Sequence, residues 1–275
     1  MITVLGSQGF IGSSLITYLR AAGADVVGID RAHLPAFLTA GRPAGTVIST
    51  IGLTADWRSS PLKTAEAHVG VVARILADVQ FDSFLLLSST RVYKRAQTTQ
   101  EDLPVPTLPT DPDDLYDITK LAGEALCLND PRPSVRVIRL SNVVGPGMGG
   151  VNFLGQLITE GMSRGAVLLR QSLLSSKDYI DLDDVVRLLP LIAQSGQHRL
   201  YNLASGTNTT HGELAAAMTQ LFGWSFSVAQ NAATLCFPVI DISRLEAEFG
   251  RPRSGVLLHL PAIAAGLMQG VQPMA

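Results

Sequence analysis

The chain has 275 residues, with 21 Lys and Arg against 23 Asp and Glu, a formal charge of −2 and a pI of about 6.2. That balance excludes the basic footprint of a nucleic-acid binder, and a hydrophobic share of 47% with mean hydropathy of +0.27 excludes disorder. Two cysteines, Cys127 and Cys236, make no disulfide scaffold, and the five histidines show no metal-ligand spacing, so no metal is expected. With a first strand predicted to open at Ile2 and no basic run before it, no signal peptide is expected, and the expectation is a soluble, cytoplasmic protein.

In chain order, Ile2–Leu5 is a short apolar run ending at a glycine and is predicted as a strand. Residues 11–22 read as a helix stopped by Gly23. Val26–Ile29 and residues 46–51 are the next two strands. Residues 65–79 carry Val69, Val72, Ile75, Leu76 and Val79 at helical spacing. Residues 84–87 are a strand, Leu115–Leu128 a helix and Val135–Leu140 a strand. Short apolar runs alternating with helices predict an α/β fold with a Rossmann-like, doubly wound parallel sheet covered on both faces.

Beyond Leu140 the pattern is less regular. Residues 144–150 form a glycine-rich loop, Phe153–Arg164 a helix and residues 167–169 a short strand. Residues 178–189 read as a return to the sheet followed by a helix, and Leu200–Leu203 as a strand. His211–Phe222 and residues 242–249 are helical. The apolar stretch 256–268 is interrupted by His259 and Pro261 and is too short to span a bilayer. We expect a dinucleotide-binding domain of residues 1–142 plus 178–204. A small discontinuous substrate lobe takes residues 143–177 plus 205–275.

Gly6, Gly9 and Gly12 lie at G-x-x-G-x-x-G spacing between the first strand and the first helix, with Phe10 and Ile11 inside the turn. Glycines let the backbone approach a pyrophosphate, and the helix start offers N–H groups and partial positive charge to it. Asp30 closes the second strand, where a carboxylate accepts hydrogen bonds from adenosine ribose hydroxyls and repels a 2′-phosphate. This favours NAD. Arg31 beside it leaves NADP open.

Asp111-Pro112-Asp113-Asp114 has the form of a helix start, and Tyr116 and Lys120 follow at i and i+4 on one helical face. A phenol has a pKa near ~10 and is a poor base at neutral pH. An ammonium about 4 Å away, at an effective dielectric of ~20, favours the phenolate by roughly 4 kcal/mol before desolvation opposes it. That makes Tyr116 a candidate proton shuttle. Upstream, Ser88, Ser89 and Thr90 place hydroxyls just past the carboxyl end of a strand, where open α/β sheets bind ligands.

These segments together resemble the NAD-dependent epimerase/dehydratase family of nucleotide-sugar enzymes, within the extended short-chain dehydrogenases/reductases. Gly6 to Gly12 resembles its G-x-x-G-F-I-G, and Ser88 to Tyr93 its S-S-x-x-V-Y. Glu101 to Pro104 resembles E-x-x-P, Tyr116 to Lys120 is the Y-x-x-x-K pair, and Arg139 to Pro146 resembles R-x-x-N-x-x-G-P. Lys177 to Asp184 resembles R-D-F-I-x-V-x-D, and Tyr201 to Gly206 Y-N-x-x-x-G. The resemblance implies Tyr116 as acid/base and Lys120 as the residue that lowers its pKa and holds the nicotinamide ribose. It implies Ser89 as the catalytic hydroxyl, with Thr90 the second choice. Ile51 and Gly52 stand for the family's small pair beside that ribose. Asn142, Lys177 and Thr90 fall where the sugar nucleotide is held, and Lys177 replaces an arginine. Thr90-Arg91 stands where the family's dehydratases carry Asp-Glu, so 4,6-dehydration is disfavoured for want of a carboxylic acid. His68 replaces a frequent asparagine and is read as a core residue.

The expected activity is NAD(P)-dependent epimerisation of a nucleotide sugar through a transient ketone. The alternatives are a ketoreductase or dehydrogenase using the same residues and, last, a non-catalytic dinucleotide sensor. The resemblance also implies a homodimer joined through helices 65–79 and 115–128, with Ala67, Val71, Leu121 and Ala125 as contact candidates.

Overall fold

The computed structural model describes residues 1–52, 57–150, 152–253 and 255–270. The first half runs β1 (Ile2–Leu5), α1 (Phe10–Ala21), β2 (Val26–Ile29), α2 (Leu34–Leu38) and β3 (Thr46–Ser49). A continuous helical stretch follows as α3 (Pro61–Ala65), a wide π turn at Glu66–Gly70 and α4 (Val71–Asp78). Then come β4 (Ser83–Ser89), the 3-10 turns Thr90–Arg95 and Pro112–Asp114, α5 (Leu115–Leu128), β5 (Val135–Leu140) and β6 (Asn142–Val144). The remainder is α6 (Phe153–Arg164), β7 (Ala166–Gln171), β8 (Ser176–Asp181), α7 (Leu182–Ser195), β9 (Leu200–Leu203), β10 (Asn208–Thr210), α8 (His211–Phe222), β11 (Ser225–Ala233), α9 (Ser243–Phe249) and α10 (Val256–Gly270).

The central sheet has six parallel strands in the order β2-β1-β3-β4-β5-β9. The chain moves outward from β1 to β2, then crosses to the other side for β3. That reversal opens a crevice at the carboxyl ends of β1 and β3. Both faces are buried, and the alternation of side chains shows how. Val4, Leu85, Leu87, Ile138 and Leu140 point into a core with Leu15, Ile16 and Leu19 of α1 and Val185, Leu188, Leu189 and Ile192 of α7. Their strand neighbours Leu5, Phe84, Leu86, Val135 and Val137 face the opposite core, closed by Val71, Val72 and Ile75 of α4 and Cys127 of α5. The central strands are therefore mostly apolar, with polar exceptions such as Arg136 and Arg139 in β5 and Ser88 in β4.

A separate core holds the lobe. Val144, Leu157, Ile158, Leu169, Tyr179, Leu214, Met218, Trp224, Leu260 and Ile263 pack together. Around them lie a three-stranded sheet β10-β8-β6 and a two-stranded sheet β11-β7. The expected return of residues 178–189 to the central sheet is corrected here. Residues of β8 pair with β6 and β10, and the sixth central position is taken by β9. The helix that follows, α7, does pack on the central sheet. Its Asp181 cap accepts from the Asp183 N–H at 2.8 Å, which starts the helix directly after β8. Residues 256–268 lie in the single helix α10, with Pro261 inside it. No helix among the described residues is long and apolar enough to cross a membrane.

Candidate active site

The turn after β1 is closed by backbone contact. Gly6 has φ of +81°, and the Gly9 N–H donates to its carbonyl at 3.0 Å. A Cβ on Gly12 would sit 2.2 Å from that same carbonyl oxygen, so only glycine lets α1 start this close to the turn. Gly9 precedes the helix with no side-chain cap, and Phe10, Ile11 and Gly12 form its first turn. First-turn N–H groups have no intrahelical acceptor, and they face the crevice as an anion cradle. This fits a dinucleotide pyrophosphate. Gly28 in β2 was not singled out by sequence, yet a Cβ there would meet Ile16 and Ser7 at 2.7 and 2.8 Å.

Asp30 stands at the end of β2, engaged on three sides. It accepts from the His33 N–H at 3.0 Å, contacts His33 Nδ1 at 2.7 Å and accepts from Gln8 Nε2 at 2.9 Å. The His33 N–H, first among these, holds its carboxyl below the usual range. Arg31 is exposed beside it. Neither His33 nor Gln8 carried a sequence signal.

The hydroxyl pair meets at the carboxyl end of β4. The Ser89 side chain lies close to that of Tyr116, and its hydroxyl accepts from the Arg91 N–H at 3.2 Å. Thr90 opens the next turn and is buried. Tyr116 projects from the first turn of α5, its ring packed against Trp57 at 5.8 Å and edge-on to His68 at 5.2 Å between centroids. Burial pushes its pKa up to about 12, opposed by the Ser89 hydroxyl; Asp117 adds to the rise and the Arg91 charge counters it. The simple picture of an ammonium about 4 Å from the phenol is thus modified. Lys120 Nζ donates to the Leu87 carbonyl at 2.9 Å and lies 5.9 Å from the Tyr116 ring centroid. Burial brings Lys120 itself down to about 8, opposed by Glu124. Gly52 runs past this lysine, since a Cβ there would lie 3.6 Å from Nζ, and Ile51 is half-buried beside it. His68 is buried with Nδ1 2.9 Å from Thr119 Oγ1, and burial drops its pKa to about 3.

Several motif residues turn out to brace the site. Arg139 pairs with Glu124 at 2.7 Å and donates to Tyr93 Oη at 2.7 Å. Tyr93 donates to Asn202 Oδ1 at 3.0 Å, and the Asn202 N–H donates to Glu101 at 3.0 Å. Ser88 Oγ donates to Glu124 at 2.5 Å. This buried network stitches β4, α5, β5 and β9 together behind the reacting side chains.

Ser89, Thr90, Asn142 and Lys177 come together with Arg58, Arg91, Phe153 and His211 around a cavity of about 480 Å³. Asn142 Nδ2 donates to the Asp178 carbonyl at 2.8 Å, which fixes β6 against β8. Lys177 Nζ sits 4.5 Å from the Phe153 ring centroid, and burial, with the Arg91 charge, lowers its pKa to about 8. Two buried lining atoms, Ser141 Oγ and His211 Nδ1, have no hydrogen-bond partner among the described residues. A buried polar atom left so costs about 1–3 kcal/mol, which a ligand bound there relieves. Arg58, Phe153 and His211 had no motif to mark them; they converge from separate elements.

The sequence profile of the NAD dependent epimerase/dehydratase family matches residues 2–204. Among solved structures, the chain is similar to MoeE5 in complex with UDP-glucose and NAD, at 22% identity and a TM-score of 0.80 over 98% of this chain and 99% of that one. It is similar to TunA, an NAD dependent NDP-hexosamine 5,6-dehydratase involved in tunicamycin biosynthesis, at 20% identity and a TM-score of 0.82 over 97% of both chains. It is also similar to the UDP-glucose 4-epimerase of Thermotoga maritima, at 19% identity and a TM-score of 0.80 over 98% of this chain and 99% of that one. These likenesses carry the fold, and the profile match over most of the sequence carries the family: the chain belongs to the NAD dependent epimerase/dehydratase family.

Proposed function

We propose that this protein epimerises a nucleotide sugar through a transient ketone, with NAD held over the Gly6–Gly12 turn and Asp30 at its adenosine ribose. The observation that carries the reading is the meeting of the Ser89 and Tyr116 side chains beside a cavity lined by Ser89, Lys177, Asn142 and unpartnered buried polar atoms. Similar folds bind UDP-glucose and NAD together, which supports a nucleotide-sugar substrate.

When bound, NAD supplies a hydride acceptor that returns the hydride. The rest of the chemistry falls to this chain. Tyr116 Oη takes the proton of the reacting sugar hydroxyl as that carbon becomes a ketone, and gives it back on reduction. Ser89 Oγ holds the same oxygen through both steps. Tyr116 near 12 is a weak base alone, so the positive charges around it set its activity. Those charges are Lys120, Arg91 and the oxidised nicotinamide. The ketone turns between the two hydride steps, and Lys177 keeps the diphosphate in place as it does so. Lysine acts there as a point charge, without the bidentate fork of an arginine.

The test is whether cofactor is a tenant or a reagent. Protein purified without added nucleotide is denatured and the supernatant assayed for NAD and NADH, then native protein is given UDP-sugars without cofactor. Co-purifying nucleotide with an epimer as product supports the proposal. A strict requirement for added NADH or NADPH, with a net reduced product, would replace it with a ketoreductase.

A further inference from the structure

Arg91 enters the reaction outlined above only through its charge on Tyr116, and its hydrogen-bonding capacity is left over. It follows Ser89 and Thr90 at the tip of β4 and lines the same cavity. Its guanidinium is held from one side by an ion pair and a single hydrogen bond. Nε lies 3.3 Å from Asp117 Oδ1, one Nη donates to the Asp113 carbonyl at 3.2 Å, and the group stands 5.4 Å from the Trp57 ring centroid. Arg58 is stacked on the same ring at 4.1 Å and also lines the cavity. A guanidinium tethered along one side is pre-organised to present the other side to a ligand.

The charge around the cavity is lopsided. Its cations are Arg58, Arg91 and Lys177, and Asp178 is its sole carboxylate among the described residues. Asp178 is committed elsewhere: its oxygens accept from the Ser205 N–H at 3.0 Å, Ser205 Oγ at 2.7 Å and the Thr207 N–H at 3.1 Å. Asp113 and Asp117 balance the arginines only from behind. Lys177 and Arg91 act on each other electrostatically, and Arg91 also acts on Tyr116. Arg91 thus shares one cavity with Ser89 at the tip of β4 and with Lys177. A neutral sugar there would leave the excess positive charge of the cavity unanswered.

We infer that Arg91, backed by Arg58, is a specificity residue for an acidic sugar, forming a charge-assisted pair with a carboxylate on the hexose next to the carbon that Tyr116 and Ser89 work on. The inference rests on the nucleotide-sugar reading and deepens it. A guanidinium and a carboxylate match geometrically through two parallel hydrogen bonds, which a hydroxymethyl group cannot supply.

The probes are UDP, UDP-glucose and UDP-glucuronate, whose sugars differ only in a hydroxymethyl against a carboxylate, titrated into NAD-saturated protein by calorimetry. The wild type is expected to bind UDP-glucuronate at least tenfold more tightly than UDP-glucose. Arg91→Gln is expected to bring the two within about twofold while leaving UDP and UDP-glucose affinity within about twofold of wild type. Arg91→Lys, which keeps the charge, is expected to fold as wild type and retain most of the preference. Equal wild-type affinities, a preference surviving in Arg91→Gln, or a parallel loss for UDP and both sugars would overturn the assignment; the last would make Arg91 a diphosphate ligand. Binding of UDP without either sugar also overturns it. Failure of UDP itself to bind, with NAD binding intact, overturns the nucleotide-sugar reading beneath it.

Discussion

Tyr116 and His68 touch edge to face, and burial drives both toward their neutral forms for opposite reasons of charge. For His68 the consequence can be measured as stability. Its folded pKa of about 3 lies below the ordinary 6.5, so between those values the unfolded chain binds a proton that the folded chain refuses. Stability therefore falls as pH drops through that window, by up to about 1.4 kcal/mol per pH unit. Urea unfolding at pH 7.5 and pH 5 is expected to show a larger loss for the wild type than for His68→Asn, by about 1–2 kcal/mol. Equal losses would mean the imidazole is protonated in the fold. The core reading of His68 agrees with its burial, but its position against Tyr116 and near Lys120 was not legible, because a contact across elements leaves no spacing in the sequence. A second residue-scale prediction concerns the turn. Gly12→Ala forces a methyl onto the Gly6 carbonyl, and thermal shifts with NAD are expected to vanish in that variant. A retained shift would place the dinucleotide elsewhere.

At the scale of elements, periodicity and turn chemistry revealed what local sequence can. The inner strands of the central sheet read as mostly apolar because both faces are covered, and α5 has the bounds that its acidic start and 3.6 repeat predict. Three things were illegible. The π turn at Glu66–Gly70 has no composition of its own. Strand β11 is exposed and alternates weakly, and β8 owes its sheet to partners far along the chain. The motif residues Arg139, Glu101 and Asn202 carry no role that order alone assigns, and they form the buried network between β4, α5, β5 and β9. Removing one partner of a buried pair strands the other, so Arg139→Ala is expected to lower stability by about 3–5 kcal/mol. Denaturant unfolding checks this, and a change under about 1 kcal/mol would show that Glu124 finds other support.

For the whole molecule, the family and the Rossmann-like sheet were evident from the sequence, whereas the cavity was legible only in part. Ser89, Thr90, Asn142 and Lys177 are expected there; Arg58 comes from the segment after β3, Phe153 from α6 against the lobe's core, and His211 from the start of α8. Association is open to experiment on the same footing. Val71 is spent in the chain's own core, while Ala125 and Leu126 are exposed on α5. We propose a homodimer across that helix, expected as a doubled mass in light scattering; a monomer would exclude it. The phenol of Tyr116 carries the proposed reaction, and the decisive measurement is turnover and NAD affinity in Tyr116→Phe, taken side by side. Loss of the proton shuttle predicts a fall in turnover of about 10²–10⁴-fold with NAD affinity held within a few fold. Turnover close to wild type in that variant would contradict it.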